Sequence, residues 1–232
     1  MGKRIIPRAR GKGGPRYVAP SHRYLGRAEY GAYSNINAKV VDILDDVGKT
    51  APVSKIKFED GKEVLQIAAE GNYIGQIVKY GNEVNTGNVV ELHNMPVGTK
   101  IFGIETYPLS GPKMCRSSGT FALVVGRTEA KTRIQFSHGK LVELHNRCRA
   151  TVGVAAGGGR LEKPWIKAGQ KGHAKAAHNK LYPRSAGVAM TATDHPYGGR
   201  SKRPRPTRSV SRNAPPGAKV GSISPRRTGV RK

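Results

Sequence analysis

The sequence predicts a mainly β protein of two small barrels with long basic extensions at both ends. Three observations lead there. Short strand-like runs recur between turn residues about every 8–12 positions, the spacing of small barrels and sandwiches. No long helical apolar period interrupts them. The charge is also segregated: residues 31–150 carry 15 Lys/Arg against 12 Asp/Glu, whereas residues 1–30 carry 8 against 1 and residues 151–232 carry 18 against 2. A nearly balanced middle is the surface of an ordinary folded region. The ends hold most of the net charge of +26 and too few apolar side chains to build a core.

The chain therefore divides into a basic N-terminal extension over residues 1–33, a first barrel over 34–87, a second over 88–160, and a Gly/Pro-rich basic C-terminal extension over 161–232. The N-terminal stretch PRARGKGGPRYVAPSHR holds Pro7, Pro15 and Pro20, and the other end holds Pro204, Pro206, Pro215, Pro216 and Pro225. Such segments cannot offset their ordering entropy alone and are expected to order on a polyanion. MGKRIIPRAR lacks the apolar run of a secretory signal, and Ile6 breaks the myristoylation pattern. Cys115 and Cys148 make no disulfide framework, which fits a reducing cytoplasm.

In the first barrel, IKFEDGKEVLQIA places two strands around an Asp60-Gly61 hairpin turn, followed by YIGQIVKYG. KIFGIETY belongs to the second barrel. There KTRIQFSHGKLVEL sets Thr132, Ile134 and Phe136 inward against Lys131, Arg133 and Gln135, with a turn at His138-Gly139. RCRATVGV alternates in the same way, burying Cys148, Ala150, Val152 and Val154 and presenting Arg147, Arg149 and Thr151. QKGHAKAAHNKL is the one candidate short helix, without an apolar stripe. GNVVELHN (87–94) and GKLVELHN (139–146) echo one another, and read as two similar turn-to-strand passages.

Catalytic and metal motifs fail on spacing. VGKT at 47–50 resembles the end of a phosphate-binding loop, but the required glycine at position 43 is Ile43. There is no Cys-x-x-Cys, His173 and His178 are five apart, and no Gly-x-Ser-x-Gly elbow appears. Asp194 and His195 are adjacent, so their side chains diverge. A polyanion remains as partner. With no amphipathic helix or apolar span, a membrane is excluded. The lack of a helix-turn-helix, basic zipper or zinc finger argues against major-groove DNA reading. A general chromatin-type DNA-binding protein is the alternative that charge alone permits. Basic β-barrels with Gly/Arg/Lys arms suit RNA, where shape, 2′-OH and phosphate contacts dominate.

Several longer stretches carry a resemblance. PRSAGVAMTATDHPYGGR contains Gly187, Ala189, Met190, Asp194, His195, Pro196, Gly198 and Gly199 in the order of a family signature close to R-G-x-A-M-N-P-x-D-H-P-[HF]-G-G-G. MPVGT (95–99), CRSSGTFALVV (115–125), NRCRATVG (146–153) and IKAG (166–169) match further, and the chain resembles the universal large-subunit ribosomal protein family L-two. MGKRI and APSHR resemble its archaeal and eukaryotic branch. The departures are Ala186 for Arg, Thr191-Ala192 for Asn-Pro, and Arg200 for the third glycine.

The resemblance implies an oligonucleotide-binding-type barrel followed by an SH3-like barrel. It also implies a structural constituent of the large ribosomal subunit, not an enzyme. Its partners would be large-subunit ribosomal RNA, other ribosomal proteins and the small subunit across the interface, in the cytoplasm. It would support subunit assembly and association and the peptidyl transferase region. No cofactor is expected on the protein alone, and Mg²⁺ only through the RNA. RNA contacts are expected from Arg147, Arg149, Lys167, Lys171 and Lys175 at the second barrel and its exit. Gly157, Gly158, Gly159, Gly198 and Gly199 would admit close backbone approach. Asp194 and His195 would shape the loop that also holds Arg184 and Arg200. Lys202, Arg203, Arg205 and Arg208 would bind RNA from one tail, and Arg4, Arg8, Arg10 and Arg23 from the other.

Overall fold

The computed structural model describes Lys3, residues 5–195, residues 197–199, Arg212 and Asn213. It divides into two compact units, Ser21–Trp165 and a second formed by Met1–Pro20 with Ile166–Lys232. The first unit holds all ten strands found among the described residues. β1 (Ile36–Leu44), β2 (Val53–Phe58), β3 (Glu63–Ile67) and β4 (Ile77–Gly81) come first. β5 (Val89–Glu91), β6 (Lys100–Phe102), β7 (Ala122–Arg127), β8 (Lys131–Phe136), β9 (Leu141–His145) and β10 (Arg149–Val152) follow. They pair in the order β3-β2-β1-β4-β5-β10-β6-β7-β8-β9, so the protein is mainly β. Every neighbouring pair is antiparallel except β4 and β5, joined in parallel through Tyr80 with Val89 and Gly81 with Val90.

Two apolar clusters flank that parallel joint. Tyr30, Val40, Ile56, Phe58, Val78 and Tyr80 form one; Leu92, Met95, Ile101, Val124, Ile134 and Cys148 belong to the other. Each fully buried side chain of this size contributes about 1.5–3 kcal/mol. Tyr30 lies in the stretch expected to be extension, yet it is 1% exposed. Residues 21–33 therefore fold with the strands rather than with the tail.

The turn chemistry works as the sequence suggests. Gly61 takes φ +85° between β2 and β3, and Gly139 takes φ +86° between β8 and β9. Asp60 Oδ1 accepts the Lys62 N–H at 3.0 Å, closing the first hairpin. In β8, Thr132 and Ile134 are buried while Lys131 and Arg133 are exposed. The two echoed passages meet at their C-terminal ends, where the His93 N–H donates to the Asn146 carbonyl at 3.1 Å.

β10 departs from the expected alternation. Arg149, Ala150, Thr151 and Val152 are all buried. β10 lies between β5 and β6 in the sheet, and both of its faces are covered by protein. Alternate residues thus turn from one interior to another and never reach solvent.

The second unit contains two short helices, α1 (Ile6–Gly11) and α2 (Ala168–Ala177). Pro7 in the first turn of α1 fixes φ where no hydrogen bond is lost. α2 corresponds to the candidate helix read from the sequence. Neither helix buries a residue. The two ends of the chain meet in this unit: the Lys3 N–H donates to the Thr193 carbonyl at 2.8 Å, and the Asn179 side chain donates to the Val18 carbonyl at 2.9 Å. No helix among the described residues is long and apolar enough to cross a membrane.

Candidate nucleic-acid interface

The two arginines expected on the second barrel part company. Arg147 is exposed. Arg149 is 7% exposed and both of its Nη atoms are occupied, while its buried Nε has no hydrogen-bond partner among the described residues. Nη2 pairs with Glu105 Oε1 at 2.8 Å, and Nη1 donates to the Gly31 carbonyl at 2.9 Å. The Arg149 side chain also lies over the Tyr30 ring, 5.6 Å from its centroid. This corrects the reading of Arg149 as a phosphate contact. It holds the interior of the strand unit together, because burial without its carboxylate would leave an unpaired charge.

Around that pair runs a buried polar network. Tyr30 Oη donates to the Gly103 carbonyl at 2.5 Å and bonds Thr151 Oγ1 at 2.7 Å. Gln66 Nε2 donates to the same Thr151 oxygen at 2.9 Å, and Tyr80 Oη donates to Gln66 Oε1 at 3.0 Å. Burial holds both tyrosine hydroxyls protonated, well above their ordinary range.

The glycines at 157–159 approach protein at close range. A Cβ on Gly157, at φ +78°, would stand 3.3 Å from Pro52 Cδ and Ser118 Cβ. Gly158 faces Gly119, whose own added Cβ would reach Gly158 Cα at 2.9 Å. Gly159 and Arg23 are exposed.

In the second unit, Lys167, Lys171 and Lys175 recur every four residues from the N-cap of α2, on one helix face. The Lys171 ammonium also sits over the Tyr182 ring at 5.6 Å. Arg8 and Arg10 are exposed on α1, and Arg184 is exposed beyond α2. The loop from Gly187 to Gly199 is tightly wound. The His195 ring occupies the space a Cβ on Gly187 would need, and the Met190 and Thr191 carbonyls occupy that of Gly198. The Tyr197 N–H donates to His195 Nδ1 at 3.1 Å. Asp194 turns elsewhere, pairing with Lys3 at 3.1 Å and accepting from Thr191 Oγ1 at 2.9 Å. Lys3 and then Thr191 hold its carboxyl below the usual carboxylate range. Asp194 thus steadies the loop, while the His195 ring fills its interior. Gly199 takes φ +115° in the same loop. Arg4, Arg200, Lys202, Arg203, Arg205 and Arg208 lie outside the described residues.

A site not foreseen from the sequence lies within the strand unit. A cleft of about 830 Å³ is lined by Arg27, Lys49, Lys113, Arg116 and His138, with no Asp or Glu in its wall. Lys49 is held by Asp46 and by the Gly26 carbonyl. Arg27, Lys113 and Arg116 are exposed and have no carboxylate partner among the described residues. Aromatic rings stand among these cations. Tyr24 packs on Gly48, where a Cβ would meet the ring at 2.9 Å. Phe121 lies under the Lys100 ammonium at 5.1 Å, and Phe136 stacks on His138 at 5.5 Å. Cys115, at φ +51°, completes the wall as a neutral thiol, pushed up to about 11 by burial. Cations interleaved with π-faces suit phosphate and base together. Only folding brings residues 27, 49 and 113–116 to one place, so the order of residues along the chain carries no signal for it beyond the match at CRSSGTFALVV.

Residues 85–219 match the family model for the C-terminal domain of ribosomal proteins L2. The chain belongs to the ribosomal protein L2 family. It is 48% identical over 242 residues to the large ribosomal subunit protein uL2 of Methanothermobacter thermautotrophicus, covering all of both chains. The uL2 proteins of Archaeoglobus fulgidus and Methanocaldococcus jannaschii are 47% identical over 237 residues and 43% identical over 242, again over the full length of each. The family assignment thus spans the strand unit and the extensions alike, and these three relatives are archaeal.

Proposed function

We propose that this chain is a structural constituent of the large ribosomal subunit that binds large-subunit ribosomal RNA through two surfaces. The observation that carries the reading is the cleft free of acids, with Arg27, Lys113 and Arg116 unpaired beside Phe121 and Tyr24. RNA backbone would run along it, with an unpaired base against the rings. The second surface is the extension unit, led by the lysine face of α2 and the exposed Arg8, Arg10 and Arg184. The tail cations Lys202, Arg203, Arg205 and Arg208, with Arg4 and Arg200, extend it. The two lobes of the strand unit are read as the oligonucleotide-binding-type and SH3-like barrels of the family. Assembly with other ribosomal proteins, contact with the small subunit, support of the peptidyl transferase region, a cytoplasmic location and Mg²⁺ held only through RNA complete the proposal.

The role is architectural rather than enzymatic. His195 fills the space over Gly187 and accepts from the Tyr197 backbone, which makes it a spacer within its loop. Crosslinking in the source cells, followed by sequencing of the attached nucleic acid, tests the whole reading. Crosslinks clustered at a few places in large-subunit ribosomal RNA support it; crosslinks scattered over genomic DNA overturn it. In vitro, neutralising about eight phosphates gives a slope of log K against log salt on the order of −6 to −7. Arg116→Glu should weaken binding and flatten that slope, as should removal of residues 201–232. His195→Ala should impair particle assembly. Fully assembled His195→Ala particles that lose peptidyl transfer by orders of magnitude would overturn the spacer role.

A further inference from the structure

The outer face of β1 and β4 carries an apolar patch that the RNA reading leaves unused. Val41 is 40% exposed, Tyr73 64%, Ile74 61% and Ile77 62%. They are neighbours through the backbone. The Gly75 N–H donates to the Val40 carbonyl at 2.8 Å, the Val40 N–H donates to the Gln76 carbonyl at 2.9 Å, and Ile77 stands opposite Lys39 in register. Val41 is the extra residue where the β1–β2 register shifts; it alternates outward with Lys39, and Asp42 follows it opposite Lys55. None of the four lines the cationic cleft.

Two lysines border the patch. Lys39 stands directly opposite Lys57 across β1 and β2, and both are exposed. Like charges in that position destabilise a sheet. Glu63 stands opposite Lys57 on its other side, but its carboxylate pairs with Lys55 at 2.7 Å, and Lys39 and Lys57 have no ion pair among the described residues. The face thus offers aliphatic surface beside two cations that repel one another until an acid is placed between them.

We propose that this face docks a protein segment that lays apolar side chains on Val41, Ile74 and Ile77 and sets a carboxylate between Lys39 and Lys57. RNA would satisfy the lysines but has no aliphatic surface to cover three branched side chains. A second copy of this chain is disfavoured by a charge of +26 on each. The chain's own tail over residues 201–232 contains no Asp or Glu, so it cannot supply the acid.

Photocrosslinking at two positions of the full-length chain in the source cells separates this proposal from the RNA reading. p-Benzoylphenylalanine replaces Ile77 in one version and Phe121, in the cleft, in the other. The expected result is a single protein adduct from position 77, on a peptide holding Asp or Glu close to apolar residues, and an RNA adduct from position 121. The double variant Lys39→Gln, Lys57→Gln should reduce the position-77 protein adduct at least tenfold without lowering the thermal midpoint of the free chain. An RNA adduct at position 77, no adduct there, or a protein adduct indifferent to the loss of the two lysines would overturn the docking surface. Each of those results leaves the RNA reading standing if position 121 still marks RNA. Loss of the RNA adduct at 121 alone would overturn that reading and leave this one intact.

Discussion

In Ser21–Trp165, ten strands bury three apolar clusters and polar contacts that join Arg149 to Glu105 and Tyr30 to Thr151 and Gln66. In Met1–Pro20 with Ile166–Lys232, the helices α1 and α2 bury nothing. α2 has no side-chain N-cap and contains Gly169 and Gly172, each costing about 0.8–1 kcal/mol relative to Ala. A ten-residue helix of that kind is marginal in water. One unit carries its own reasons to fold. The other is spaced with cations as though its reasons lie in a polyanion. Basic residues differ too: in the strand unit Arg149 is consumed inside the core while Arg27, Lys113 and Arg116 stay exposed, and the extension unit offers its cations no core to enter.

The sharpest way to break this contrast is to strike the network. Glu105 accepts from Arg149 through both backbone and side chain, and its Oε2 and Oε1 accept the Leu109 and Gly111 N–H groups. Glu105→Ala should lower unfolding free energy by about 3–5 kcal/mol in urea titration, since it strands a buried guanidinium. Replacing both partners by apolar residues, Glu105→Leu with Arg149→Met, should recover much of that deficit. A Glu105→Ala midpoint equal to the parent's would mean the apolar clusters alone hold the unit. In the extension unit the opposite pattern is expected. Lys171→Ala with Lys175→Ala should leave unfolding within about 0.5 kcal/mol. It should reduce the salt slope of RNA binding by about 0.7–0.9 for each phosphate that is no longer neutralised.

How far the sequence could be read follows the same division. The Asp60-Gly61 hairpin and the alternation of β8 were legible because a turn dipeptide and a period of two are local facts. Arg149 was misread for the same reason. RCRATVGV shows alternation, but whether the second face meets solvent depends on β5 and β6, which are remote in sequence. The cleft was illegible because Arg27, Lys113 and Arg116 belong to no single motif. The loop around His195 was legible as a signature, yet its geometry was not. That His195 packs on Gly187 while Asp194 reaches Lys3 requires both ends of the chain.

That loop permits a smaller test. Gly187→Ala places a methyl group where the His195 ring now lies. If His195 matters by filling that space, Gly187→Ala should reproduce the assembly defect of His195→Ala, with the urea midpoint of the strand unit unchanged. Normal assembly in Gly187→Ala beside a defect in His195→Ala would move the role from shape to the imidazole itself.

The smallest expected effect is in pH, and the two units should respond at opposite ends of the scale. Burial raises the thiols of Cys115 and Cys148 from 9.0 to about 11, and at Cys148 the Glu105 carboxylate adds to the rise. A thiol whose folded pKa is raised favours the folded state fully below its unfolded value. That contribution is lost as pH climbs from about 9 to 11, because the unfolded chain ionises first. Asp194 has the reverse sign. Its carboxyl is lowered by Lys3, so its contribution is present above the unfolded value of about 3.9 and is lost as pH falls through the folded one. Lys3 is exposed and Asp194 partly so, so the acid effect should be slight and readable only locally, as a low carboxyl titration by NMR that rises toward normal in Lys3→Ala. For the alkaline arm, urea midpoints between pH 8 and 11 should fall more steeply in the parent than in Cys115→Ala with Cys148→Ala. Lysines titrate in the same range in both proteins, so the difference between the two curves isolates the thiols. Parallel curves would mean the thiols ionise freely in the folded chain, and the wall of the cleft at Cys115 would then be open to water.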